Sequence, residues 1–291
     1  MPYYTTLSAI RAQLNTDLTD DDALLFRLSQ IAARRVVEYC GQNFDEQWAT
    51  YGFSAQVGRG EALLYLEQRP LLEATAITNG DGSAVTSAQF DALPKYTYPK
   101  YGIRLKQGLY WLTESGTPCL PYSMDYAEDA ITIAGKWGYV PHWGSAWRTT
   151  TLTLGAAATS SATSLTLNAS ADGILDAGNV IRISNGTTYE QMAITAPYTG
   201  LTTTITVERA VNGTTALSFA GTEAVQVFVM DELIKHATTL LTVSYYQSRG
   251  NPTGVLVSGA GGIEVRFASD MPDKVKMILQ PPYWAWFRGQ L

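Results

Sequence analysis

The chain has 291 residues, 46% of them hydrophobic and 11% aromatic. That is enough apolar material for two modest domains, or for one domain with an insertion, and it excludes a disordered chain. The formal net charge of −6 and the pI near 5.0 argue against a protein whose job is to grip nucleic acid, since affinity for phosphate comes mainly from clustered Lys and Arg, but they suit an acidic wall past which DNA slides.

The first element expected is a short helix from about Leu7 to Leu14. A stronger one follows, with Thr19 as N-cap and Asp20, Asp21 and Asp22 in the first turn, where the helix dipole favours acids. Leu24, Leu25, Leu28, Ile31, Ala32, Val36 and Tyr39 then recur at helical spacing as one apolar face, with Arg27, Arg34 and Glu38 opposite and Gly41 as the stop. From about Phe44 to Val140 the pattern changes to strands and turns. Glu61–Leu66 and Ala130–Ala134 read as strands, and Asn79-Gly80-Asp81-Gly82 reads as a hairpin turn.

Composition then shifts. Residues 149–229 hold 18 Thr and 6 Ser but no Trp, Cys, His or Lys, while all seven Trp lie elsewhere. Short alternating runs at 164–167, 180–184, 189–195, 203–208 and 224–228 are separated by turns such as Asp172-Gly173, Asn185-Gly186 and Asn212-Gly213. The block therefore reads as an independent all-β unit of about six strands, a small barrel or sandwich.

Helical spacing resumes after Asp231 and Glu232, with Leu233, Ile234, Ala237, Leu240, Leu241 and Tyr245 as a broad apolar stripe. A glycine-rich segment, 254–262, reads as a flexible loop. A last short helix follows, with Asp270 as cap, Pro272 in the first turn, and Val275, Ile278 and Leu279 facing inward. Pro281-Pro282 ends it. The fold class expected is α+β: an α-helical core with β-hairpins at 1–148 and 230–291, interrupted by the β domain at 149–229.

Chemistry is sparse. The two histidines, His142 and His236, stand apart, and no HExxH, CxxC or GxSxG occurs. Asp20–Asp22 are accounted for by a helix start, and Gly259, Gly261 and Gly262 lack the Lys-Ser or Lys-Thr of a phosphate loop. No enzyme activity, metal or cofactor is expected. Cys40 and Cys119 are too few for a disulfide framework. No signal peptide is visible in residues 1–14, and no apolar run reaches membrane-spanning length, so cytoplasmic assembly without a membrane is expected. The most unusual segment is Tyr283-Trp284-Ala285-Trp286-Phe287-Arg288. Two readings stand open for it: docking on the protein's own core, or anchoring to a neighbour through residue types favoured at interface hot spots.

Tyr4-Thr5-Thr6-Leu7, Asp20 to Leu25, Ala32-Ala33-Arg34 and Val37 to Phe44 resemble the start of phage head–tail connector (adaptor) proteins. Ala134 to Val140 resembles that family's last strand, Ile234 to Arg249 its long helix, and Met271 to Tyr283 its closing segment. The likeness covers residues 1–148 and 230–291. The block 149–229 departs from it and is similar instead to small β modules of other phage structural proteins, through Thr206 to Thr214 and Gly221-Thr222.

The resemblance implies a virion protein, a ring of twelve copies at the head–tail interface. Its partners would be the portal, a tail or neck component (stopper, tail terminator or nozzle) and further copies of itself, with duplex DNA passing through without specific binding. It implies ring packing through the helix faces of Leu24, Leu28, Ile31, Leu233, Ala237, Leu240, Leu241 and Tyr245. Portal docking falls to Tyr283, Trp284, Trp286, Phe287 and Arg288. Alternative readings are another neck or tail protein, such as a stopper or decoration subunit, and a carbohydrate-binding protein.

Overall fold

The computed structural model describes residues 2–17, 19–54, 63–66, 69–116, 118, 129–197, 202–249 and 271–280, with the backbone alone at 255–259 and 262–266. Its contacts divide the chain into two units, residues 1–40 with 147–291, and residues 41–146. The six strands of the Thr-rich block thus group with the helices.

Helix α1 (Leu7–Leu14) is capped by the Thr6 hydroxyl, which accepts from the Ala9 amide, and closed by Asn15 in the left-handed region at φ 53°. Helix α2 (Asp22–Cys40) begins three residues beyond Thr19, whose carbonyl accepts from the Asp22 amide at 3.1 Å. Its buried face is Leu25, Ser29, Ala32, Ala33, Val36 and Cys40. The single apolar face read from the sequence is therefore two: Leu24 and Ile31, at 37% and 48% exposure, lie on the neighbouring stripe that faces outward.

Unit 41–146 is built of strands. β1 (Gln47–Phe53), β2 (Leu63–Tyr65), β3 (Leu71–Thr78), β4 (Phe90–Leu93), β5 (Gly102–Leu105) and β6 (Ile131–Trp137) form two antiparallel three-stranded sheets, ordered β1-β6-β3 and β2-β5-β4. Alternate residues of β6, Ile131, Ile133 and Trp137, join Phe53, Leu66, Leu71 and Ile103 in the core between them. Trp137 packs edge-on to Tyr51 at 4.9 Å and stacks on Phe53 at 5.8 Å. The Asn79-Gly80-Asp81-Gly82 turn links β3 to Ala84, which bridges back to Thr78.

The third sheet has six antiparallel strands: β7 (Trp147–Thr153), β8 (Ser164–Thr166), β9 (Val180–Ser184), β10 (Tyr189–Ile194), β11 (Thr204–Glu208) and β12 (Ala224–Phe228), ordered β7-β12-β9-β10-β11-β8. Its two edges meet. Leu154 bridges Leu167, the Gly155 amide reaches the Thr166 carbonyl at 2.8 Å, and the Asn168 amide reaches the Thr153 carbonyl at 3.0 Å. Closure into a barrel removes the exposed strand edges that would invite pairing with other chains. Leu152, Leu165, Ile181, Met192, Ile205 and Val225 fill the interior.

Helix α3 (Glu232–Ser248) is capped by Asp231, whose carboxylate accepts from the Leu233 and Ile234 amides. It buries Ile234, Ala237, Thr238, Thr239, Leu241, Thr242 and Val243. The buried threonines return their hydroxyls to carbonyls four residues back, at 2.8 Å, and so enter the core without an unpaired polar group. The glycine-rich segment is not a loop. β13 (Val255–Gly259) and β14 (Gly262–Arg266) pair as a two-stranded ribbon. Helix α4 (Asp273–Leu279) starts after Pro272 and buries Val275 and Leu279.

The expectation of an α-helical connector core is overturned. The protein is mostly β, with sheets of three, three and six strands and four α-helices among the described residues. The capped, periodic helices stood out in the sequence. Strands such as β1, half-buried along most of its length, carry no clean alternation to announce them.

Candidate interaction surfaces

The N-terminal segment joins the helices to the barrel. The Leu7 amide donates to the Ala177 carbonyl at 3.0 Å, and the Ser8 amide donates to the Asp176 carboxylate at 2.7 Å. Ala177 shares an apolar cluster with Leu7, Ile10, Leu25 and Val243. The Tyr3 hydroxyl donates to the Glu208 carboxylate on β11 at 2.5 Å, and burial with this acceptor pushes the phenol's pKa up. Thr5 and Thr239 share a buried hydroxyl–hydroxyl bond of 2.6 Å.

Beside this joint lies a cleft of about 490 Å³, lined by Tyr3–Thr6, the 172–180 segment, Val227–Met230 and three residues of each charge sign: Arg11, Arg148 and Lys235 against Asp172, Asp176 and Glu232. Four of these are already engaged, Lys235 and Glu232 with each other at 3.9 Å. Arg11 pairs with Asp22, and Asp176 accepts from the Ser8 and Ala177 amides.

The acids at the start of α2 hold helices together. Asp21 accepts from the Tyr246 hydroxyl and from Arg249 at 3.0 Å, while Arg249 lies 3.9 Å from the Tyr246 ring centroid. These bonds, that from Tyr246 first, hold the Asp21 carboxyl below the usual carboxylate range, and the bond to Asp21 raises the Tyr246 phenol. Among the described residues, no three His, Cys, Asp or Glu side chains gather as metal ligands, and no helix is long and apolar enough to cross a membrane.

The helix-face residues singled out in the sequence divide. Ala237 and Leu241 are fully buried within the chain, and Leu28, Leu240 and Tyr245 are half-buried. Leu24, Ile31 and Leu233 are exposed, at 37%, 48% and 44%. Tyr283, Trp284, Trp286, Phe287 and Arg288 lie outside the described residues, as does Cys119. His236 is exposed on α3, and His142 precedes a single 3₁₀ turn at Trp143–Ser145. Three tyrosines of unit 41–146 are exposed: Tyr65, Tyr96 and Tyr110, at 58%, 89% and 53%. No family model matches the sequence, and no curated protein matches it.

Proposed function

We propose that the chain is a phage head–tail adaptor, a structural subunit that forms a ring of twelve copies between the portal and a tail or neck component. The observation that carries the reading is the outward stripe on α2. Leu24, Leu28 and Ile31 stand at i, i+4 and i+7, with two of the three exposed. An aliphatic side chain moved from water into an interface contributes roughly 1.5–3 kcal/mol when fully covered, and a ring covers the same stripe in every copy. Further support comes from the segments that resemble adaptors, which fall in order on α2, β6, α3 and α4. The acidic balance suits a conduit that repels duplex DNA.

The test is Leu24→Glu with Ile31→Glu. Both sites are exposed, so the subunit should keep its melting temperature. Sedimentation and electron microscopy of wild type with portals should give a ring on the portal, and the double variant should give none. Wild type that never caps portals, or a double variant that caps them as well as wild type, sinks the reading.

A further inference from the structure

One hairpin of unit 41–146 carries charge unlike the rest of the chain. Between Ala92 and Thr113 lie Lys95, Lys100, Arg104 and Lys106 and no carboxylate, in a chain of net charge −6. Tyr96, Tyr98, Tyr101, Tyr110 and Trp111 are interleaved with them. Lys95, Arg104 and Lys106 are exposed, as is Tyr96 at 89%. The carboxylate facing them across the sheet is Asp91, opposite Arg104 in register with it.

Lys100 has a different part. It is buried, and its ammonium donates to the carbonyls of Pro94, Lys95 and Thr97 at 2.7, 3.0 and 2.8 Å while lying 4.3 Å from the Tyr98 ring centroid. Three carbonyls drawn to one buried cation tie the backbone of the 94–99 loop together, and Tyr96 projects from it at 89% exposure. At the hairpin's other end the Lys106 amide bonds the Gln89 carbonyl at 2.9 Å. A row of exposed cations running along the hairpin from the loop that carries an exposed ring is the chemistry that binds a nucleic-acid strand: phosphates on the cations and a base on the ring.

Two arguments select this occupant. At physiological ionic strength, charges more than about 8 Å away are largely screened, so the local sign outweighs the chain's net charge. Two of the three exposed cations are Lys, which protein interfaces disfavour and phosphates accept. A duplex hides its base faces, so only an unpaired stretch offers a partner to Tyr96.

We propose that the β4–β5 hairpin binds single-stranded nucleic acid, with Lys95, Arg104 and Lys106 on successive phosphates and a base stacked on Tyr96. The proposal goes beyond the ring reading and does not rest on it, since rings and strand binding are measured separately.

The experiment is fluorescence anisotropy of the full chain with a labelled oligothymidine of roughly 20 nucleotides, beside a duplex of the same length, over a salt series. Three phosphate contacts predict a log–log salt slope of about −2 for the single strand. Tyr96→Ala should weaken binding about tenfold, the usual size of one stacked base. Lys95→Glu with Arg104→Glu and Lys106→Glu should abolish it, while Arg27→Glu with Arg34→Glu and Lys274→Glu, equal in charge but on the helices, should leave most of it. If the triple variant loses its fold, Lys95→Glu alone, at an exposed loop position, still decides. No binding at low salt, equal loss in both triple variants, or a duplex bound as tightly as the strand with no effect of Tyr96→Ala, each overturns the proposal.

Discussion

Glu190 and Arg209 form a two-pronged ion pair inside the barrel, with Nε–Oε1 at 2.7 Å and Nη2–Oε2 at 2.6 Å, and with side-chain exposures of 0% and 7%. The carboxylate also accepts from the amides of Ala210 at 2.9 Å and Leu217 at 2.7 Å. The guanidinium donates onward to the carbonyls of Thr159, Ala162 and Leu217. One pair thus ties β10, the turn after β11 and two long loops together, with every strong polar group satisfied. That accounts for the Glu208-Arg209-Ala210 stretch without any binding role.

Breaking this pair from one side leaves a buried charge, which costs about 3–5 kcal/mol. Arg209→Met should therefore lower the melting temperature steeply. Arg209→Lys should not rescue it, because an ammonium cannot reproduce the fork. Adding Glu190→Leu to Arg209→Met should recover part of the loss. If the double variant is as unstable as the sum of the two single ones, the pair is not coupled as described.

Asp21 predicts a pH dependence. Its carboxyl is held below the ordinary range by Tyr246 and Arg249, so the native state prefers it ionised. The resulting stability is present above the unfolded-state pKa, about 3.9, and is lost as pH falls through the depressed native value. Asp21→Asn should lower the melting temperature at neutral pH, and the gap from wild type should close in strong acid. A gap that persists there assigns the effect to packing.

Gly178 separates backbone strain from crowding. It sits at φ +96°, and a Cβ there would strike the Thr5 carbonyl, whereas Gly186, at φ +93°, faces open space. Gly186→Ala should cost only the left-handed penalty, roughly 1–2 kcal/mol. Gly178→Ala should cost clearly more and expose the N-terminal segment to faster amide exchange. Equal costs would mean that segment gives way freely.

The aromatic tail is tested by deleting residues 283–291. If the proposed ring of twelve copies docks through it, its loss should leave a folded chain that no longer joins filled heads, since the weak contacts of all copies would act together. A fall of many degrees in the isolated subunit's melting temperature would instead place Tyr283, Trp284, Trp286 and Phe287 in its own core.

Local chemistry fixed much of what the sequence alone carries. Thr6 and Asp231 cap helices because their side chains reach amides only two or three residues on. Strands β9 and β12 occupy 180–184 and 224–228, where alternation and flanking turns put them. What the sequence could not determine depends on partners far along the chain. Neighbouring stripes on α2 look alike until packing buries Leu25 and leaves Leu24 in water. The threonines of α3 read as polar until each hydroxyl finds its own helix carbonyl. A mostly helical core was expected because helix signals are local, whereas β1, β3 and β6 exist only by pairing across about 54–90 residues, and no local window contains that pairing. The basic hairpin was hidden in the same way: its four cations vanish into a net charge of −6. Only the fold shows that Lys100 turns inward to tie the loop together while Lys95, Arg104 and Lys106 stay exposed.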